Sequence, residues 1–251
     1  MTTATGTPQP PRTESVSRTM IIVVCVALVC SALVTTAVQI LHPIQAAYAA
    51  IERNRAIVVA AGLVSSEADD AEVVAAFLTL DARVMARDSG RWVEEIDGRT
   101  YDHWKVDADQ PGRYLPVYLV VNDGQIDRVV VPVDGKGMWS TLYGFLALKS
   151  DLNTISSLVI YEHGETPGIG DRIQDPQWLA QWQGKRLRDA GGALKIDVSP
   201  DTVLPEIHRI DTITGATVTA RAVGRMVQDR IQEYDAILQQ LSLTAAGGQS
   251  R

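Results

Sequence analysis

The sequence predicts an α+β protein: a single N-terminal transmembrane helix, then a domain in which a mainly antiparallel sheet is flanked by helices. Three observations carry this. The run Met20–Leu41 contains no charged residue. The β-rich segments cluster mid-chain with helix-periodic segments on either side, the order that marks α+β rather than alternating α/β. Two of those segments flank Asn122-Asp123-Gly124-Gln125, a hairpin turn signal.

Residues 1–18 are rich in Thr, Pro and Ser and read as a disordered tail. Residues 19–42 read as the membrane helix, since Met20–Leu41 as a helix is roughly 33 Å long, enough to cross a bilayer core. Pro43 marks a kink or boundary just past it. Arg12 and Arg18 precede the run, and Arg53 and Arg55 follow at a greater distance. That bias keeps the N-terminus inside and puts residues 43–251 outside the cytoplasm. Ala47-Tyr48-Ala49 has the form of a cleavage site, yet the apolar run exceeds the about 7–15 residues of a signal core. An uncleaved anchor is expected.

Ile44 to Gly62 reads as a helix ended by its glycine. Ser65-Ser66-Glu67 reads as the cap of a second helix reaching about Arg87, and Glu67, Asp69, Asp70 and Glu72 suit its first turn without any metal. Ser89–Arg113 is polar and carries Trp92, Tyr101 and Trp104 but no clear element. Leu115–Val121 and Ile126–Val133 are the hairpin strands, Ile155–Tyr161 a third and Leu194–Val198 a fourth. Asp175-Pro176 opens a helix, with Asp as cap and Pro at the first helical position. From Val218 onward, Val223, Met226, Val227, Ile231, Tyr234, Ile237, Leu238 and Leu241 form one helical face, opposite Arg221, Arg225, Gln228, Asp229 and Gln232.

The chain has 251 residues, 46% hydrophobic and 21% charged, with a net charge of −7. Its Lys and Arg are scattered, which argues against nucleic acid as a partner. Both cysteines, Cys25 and Cys30, lie inside the apolar run. The rest therefore has neither a disulfide nor a thiolate-held metal or cluster of its own. His42, His103, His163 and His208 form no evident nucleophile set, and His163 reads as a turn histidine.

Chemistry points to Thr214-Gly215-Ala216-Thr217, with Asp211 before it and Val218 and Thr219 after it. A helix N-terminus offers unpaired N–H groups and a partial positive charge, which suit a phosphate. Gly215 and Ala216 lack bulk, so a large group can come close to the backbone. The plainer alternative is that Thr214 is an N-cap and nothing more. Two glycine-rich loops, Gly135–Leu148 and Tyr161–Asp171, each follow a predicted strand. They combine apolar area (Trp139, Tyr143) with donors and with Gly168 and Gly170, the mixture a flavin ring needs; ordinary turns are the alternative.

Taken in order, the anchor, Gly135-Lys-Gly-Met-Trp-Ser-Thr-Leu-Tyr-Gly144, His163-Gly-Glu-Thr-Pro-Gly-Ile-Gly170 and Thr214-Gly-Ala-Thr217 resemble the C subunit of the sodium-translocating NADH:quinone reductase (Nqr). The Rnf G subunit shares the Glu-Thr-Pro-Gly and acceptor-threonine motifs. The resemblance implies an extracytoplasmic FMN-binding domain and a phosphoester joining FMN to Thr217, made by a flavin transferase on the outer side of the membrane. It makes Asp211, Thr214, Gly215 and Ala216 recognition and backbone positions, and Val218 a further cofactor-binding position. Glu165 and Thr166 become candidate ring contacts with Trp139 and Ser140 beside the ring, and Pro167 and Gly168 join them as cofactor-binding positions. No catalytic residue or metal ligand is implied. The implied role is an electron relay from an iron centre in the membrane subunits to a second FMN on the B subunit, and so to riboflavin and ubiquinone, coupled to sodium export. The implied partners are the A, B, D, E and F subunits of the Nqr complex, and the implied location is the inner membrane with the domain facing the periplasm. An Rnf-type G subunit, a membrane-anchored flavin-binding regulator and an assembly subunit remain as alternatives.

Overall fold

The computed structural model describes residues 16–101, 104, 112–199 and 204–247. Most of the expected tail, and part of the Ser89–Arg113 stretch, lie outside them. The chain forms two units, Met1–Ala49 and Ala50–Arg251.

The first unit is helical from Val16, the start of α1 (Val16–Ala60), and its stretch Val16–Pro43 is long and apolar enough to cross a membrane. Helix thus begins within the expected tail. Pro43 is not a boundary but sits inside the helix. It deletes a single N–H from the ladder, and the Ala-rich run Gln45–Ala50 that follows has the propensity to resume it.

In the second unit the last turns of α1 bury Ile57, Val58 and Ala60. Ser157 donates its hydroxyl to the Ala60 carbonyl at 2.7 Å, and the Arg128 guanidinium donates to Ala61. Both satisfy carbonyls that a helix end leaves without partners. Helix α2 (Asp70–Thr79) is capped by Asp69, not by the serines before it. Asp69 and Glu72 form a reciprocal box, with Glu72 N–H to Asp69 at 2.8 Å and Asp69 N–H to Glu72 at 3.2 Å, satisfying two orphan donors at once. The helix stops well short of Arg87, because Asp81–Ala86 becomes β1 and pairs with β3 (Tyr114–Asn122).

Six strands form one antiparallel sheet in the order β2-β1-β3-β4-β5-β6, with β2 at Arg91–Trp92, β4 at Gln125–Lys136, β5 at Thr141–Lys149 and β6 at Ile155–Glu162. The β3–β4 turn is the expected hairpin: Asp123 and Gly124 have φ of +51° and +77°, the pair of positive values that a two-residue type I′ turn requires. Strand β5 lies in what reads as a loop in the sequence, and it occupies the interior of the sheet. The expected strand at Leu194–Val198 shrinks to β7 (Asp197–Val198), which pairs in parallel with β8 (Arg209–Ile210).

Helices cover both faces of the sheet. Val117, Leu119, Val129, Val131, Val133, Leu142, Leu146 and Leu148 pack on one side with α3 (Pro176–Ala180), α4 (Thr217–Glu233) and α5 (Asp235–Gly247). Tyr118, Val120, Val130, Phe145 and Ala147 pack on the other with the end of α1 and with α2. Helix α4 lies against β4 so closely that a Cβ on Gly135 would stand 2.8 Å from Met226 Cβ. The start of α4 is thereby set beside the turn that joins β4 to β5.

Candidate functional site

Three segments converge at the N-terminus of α4. The β4–β5 turn is closed by the Gly137 N–H donating to the Ser140 carbonyl at 2.8 Å, which lifts Met138 and Trp139 to the surface. The loop after β6 winds around Thr166, whose carbonyl accepts from Gly170 N–H at 2.9 Å and Ile169 N–H at 3.2 Å. The third segment is the acceptor loop. Its Asp211 carbonyl accepts from Trp178 Nε1 at 2.8 Å, its Asp211 N–H donates to Gln181 at 3.0 Å, and its Thr214 carbonyl accepts from Arg172 at 3.1 Å.

Between them lies a cleft of about 150 Å³, lined by Met138, Trp139, Glu165, Thr166, Ile169, Gly170, Gly215, Ala216, Thr217, Val218 and Thr219. Four of its apolar side chains are exposed: Trp139 at 70%, Val218 at 54%, and Met138 and Ile169 at 51% each. Exposed large apolar groups drawn together beside polar ones mark a binding surface.

Thr217 is the first residue of α4, half-buried at the cleft. The residue before it, Ala216, holds the cap position and has no side-chain oxygen to offer the first N–H groups. Thr214 is therefore not the cap of this helix. An uncapped helix start with its positive dipole end facing a cleft suits an anion. Thr219 also lines the cleft but is 2% exposed, with its hydroxyl committed to Glu165 at 2.8 Å, so of the two helical threonines Thr217 is the more accessible.

Glu165 turns inward. Burial alone would push its carboxyl up, but N–H donors from Trp139, Ser140 and Met138, together with the Thr219 hydroxyl, outweigh burial and hold it below the ordinary glutamate value. His163 Nδ1 accepts the Glu165 N–H at 3.3 Å, a local turn contact.

Of the residues singled out in the sequence, Trp139, Glu165, Thr166, Gly170, Gly215, Ala216, Thr217 and Val218 line the cleft. Ser140 stands behind it on Glu165, while Pro167 and Gly168 are exposed in the same loop but outside the lining. Asp211 and Thr214 support the acceptor loop through their backbones and do not line the cleft. Tyr143 is elsewhere, packed edge-on against Trp104 at 5.3 Å. Met138, Ile169 and Thr219 join the site without having been singled out; their place inside the two quoted motifs and beside the acceptor was the available signal. A larger space of about 580 Å³ runs along β1 and β2 past Arg83, Trp92 and Glu94, and no candidate residue reaches it.

The fold and this cleft define an FMN-binding domain: that family matches residues 137–232, which take in the β4–β5 turn, the loop after β6 and most of α4. The C subunit of the Na(+)-translocating NADH-quinone reductase from Pseudomonas aeruginosa is 37% identical over 236 residues, covering 85% of this chain and 90% of its own. The corresponding C subunit of Neisseria meningitidis is 33% identical, covering 84% and 87%. Among solved structures, Shewanella oneidensis NqrC superposes with a TM-score of 0.69 at 30% identity, over 78% of this chain and 99% of that one. The C subunit from Parabacteroides distasonis gives 0.63 at 26%, over 75% and 92%. The chain belongs to the NqrC family, the C subunits of Na(+)-translocating NADH-quinone reductases.

Proposed function

We propose that this chain carries FMN as a phosphoester on Thr217 and serves as an electron relay within a sodium-pumping NADH:quinone reductase. The observation that carries the reading is the presentation of Thr217: first in an uncapped helix, half-buried, facing a cleft walled by exposed Trp139, Met138, Ile169 and Val218. The residues fit the cofactor at both ends. The first N–H groups of α4 would hold the phosphate, and the apolar rim would flank the ring. When bound, FMN supplies the redox chemistry. The chain's own residues bind and orient it: Trp139 and Ile169 flank the ring, Thr217 fixes its tether, and Gly215 leaves the backbone open to approach.

The reading divides the chain into a tail at 1–18, a span at 19–42 and a domain at 43–251. It has Arg12 and Arg18 keep the N-terminus inside, so that the domain faces the periplasm, where a flavin transferase loads it. Electrons pass from the iron centre of the membrane subunits to the FMN of the B subunit, with the A, D, E and F subunits completing the complex. Relatives named as the C subunit favour this over an Rnf-type G subunit or a regulator.

Co-expression with a flavin transferase tests it. The denatured protein is expected to fluoresce yellow-green on a gel and to gain the mass of FMN less water, with both signals absent in Thr217→Ala. Wild-type protein that stays dark and unmodified would refute the attachment.

A further inference from the structure

We propose that Glu165 is a positioning residue whose buried carboxylate ties the Trp139 turn to the first turn of α4, so that the wall of the cleft and the Thr217 hydroxyl keep a fixed relation. The proposal rests on the FMN reading above and deepens it.

Glu165 is 4% exposed, and both carboxylate oxygens are taken. Oε1 accepts from Trp139 N–H at 2.9 Å, Ser140 N–H at 3.1 Å and the Ser140 hydroxyl at 3.4 Å. Oε2 accepts from the Thr219 hydroxyl at 2.8 Å and Met138 N–H at 3.3 Å. The donors thus come from two segments distant in sequence, and Glu165 joins them from a third. Ser140 extends the contact, since its Oγ also accepts from Gly164 N–H at 2.6 Å.

The carboxylate sits in a cradle shaped for it. A Cβ on Gly137 would stand 2.6 Å from Glu165 Oε1, and one on Gly170 would stand 2.8 Å from Glu165 Cβ. Among the described residues no Lys or Arg forms an ion pair with it. A buried charge held only by directional N–H and O–H donors contributes little net stability, because desolvation offsets much of the gain. It does fix geometry, since each donor must keep its distance and angle. Trp139 itself is exposed, so packing does not hold it. The backbone of its turn is what sets where the indole stands, and Glu165 holds that backbone.

The test uses flavin-loaded full-length protein. An indole in contact with a flavin ring quenches its emission, so Trp139→Ala is expected to brighten the native protein several-fold. Glu165→Ala is expected to brighten it comparably, and Thr219→Val in the same direction, while Thr219→Ser, which keeps the hydroxyl, stays as dark as wild type. In unloaded protein, Glu165→Ala should speed hydrogen exchange at the Trp139 and Ser140 amides by about tenfold to a hundredfold, the factor that one hydrogen bond to a charged group represents. Thr219→Val keeps the proposal testable should Glu165→Ala fail to fold. If Trp139→Ala brightens the flavin while Glu165→Ala and Thr219→Val leave it quenched, the tie is wrong and the FMN reading stands. If Trp139→Ala changes nothing, the ring does not lie on Trp139, and the tie has nothing to position. Wild-type protein that never loads refutes the attachment instead, and unchanged amide exchange in Glu165→Ala then overturns the tie separately.

Discussion

Gly215 has φ of +85°, and no atom beyond its two chain neighbours lies within 4 Å of a Cβ built on it. Gly215→Ala therefore meets no clash, and its whole effect is on the backbone. An L-residue in the left-handed region costs about 1–2 kcal/mol. Replacing glycine also stiffens the unfolded chain, which returns about 0.4–1 kcal/mol. The net loss is about 1 kcal/mol, which in a domain the size of Ala50–Arg251 lowers Tm by about 2–4 °C. Asn enters the left-handed region more readily than other side chains, so Gly215→Asn is expected to recover most of the loss. Thermal melting of the unloaded protein by circular dichroism reads both variants, and flavin loading is measured on the same preparations. Gly215→Ala melting with wild type, or Gly215→Asn melting as low as Gly215→Ala, would refute the backbone argument. Gly215→Asn that melts normally but loads poorly would assign the glycine a second role, the close approach of the incoming flavin.

Two further outcomes follow from the buried polar groups. The Tyr234 hydroxyl is buried, with its phenol pushed well above the ordinary 10.0 by burial, and it donates to the Pro116 carbonyl at 2.8 Å. Tyr234→Phe strands that carbonyl and should cost about 1–3 kcal/mol, read as a lower urea midpoint at constant slope; an unchanged midpoint would show the carbonyl finds another donor. Glu165 has its folded-state pKa depressed below the ordinary 4.5. Its contribution is thus fully present above that value and is lost as pH falls through the lowered one. Glu165→Gln should therefore flatten the acid limb of Tm against pH below about pH 4.5, and parallel limbs in wild type and variant would contradict the assignment.

What was legible in the sequence is what short range decides. The Asp123-Gly124 hairpin, the Asp175-Pro176 helix start and the apolar face of α4 each depend on neighbours within a few residues. Strand β5 was not legible because both its faces are buried: Leu142, Leu146 and Leu148 enter one core, Phe145 and Ala147 the other. That arrangement removes the apolar–polar alternation that marks a half-exposed strand. The α2–β1 boundary was lost for a related reason, since only pairing with β3 makes Asp81–Ala86 extended. At the site, the Thr214–Thr217 motif pointed to Thr217, which lies in the lining of the cleft. Tyr143 was misplaced because it lies in β5, where the alternation of side chains turns it toward Trp104. The inward turn of Glu165 depends on groups 25 to 27 residues before it and 54 after it meeting at one point, which no local pattern encodes.

The size of the cleft bears on why the proposed covalent link would suit this fold. Pockets that bury most of a drug-sized ligand start near about 300 Å³, and this one offers about 150 Å³. A flavin laid on Trp139 and Ile169 would keep much of its surface in water, and free FMN would bind such a surface weakly. The proposed phosphoester at Thr217 would remove that weakness without deepening the pocket, because a tethered group faces its site at an effective concentration of about millimolar. The ring then needs contacts that orient it rather than contacts that retain it. Orientation is what the Glu165 donors and the exposed apolar rim can supply. The same openness would leave a ring edge reachable by another protein, which the proposed electron relay requires and a closed catalytic pocket would prevent.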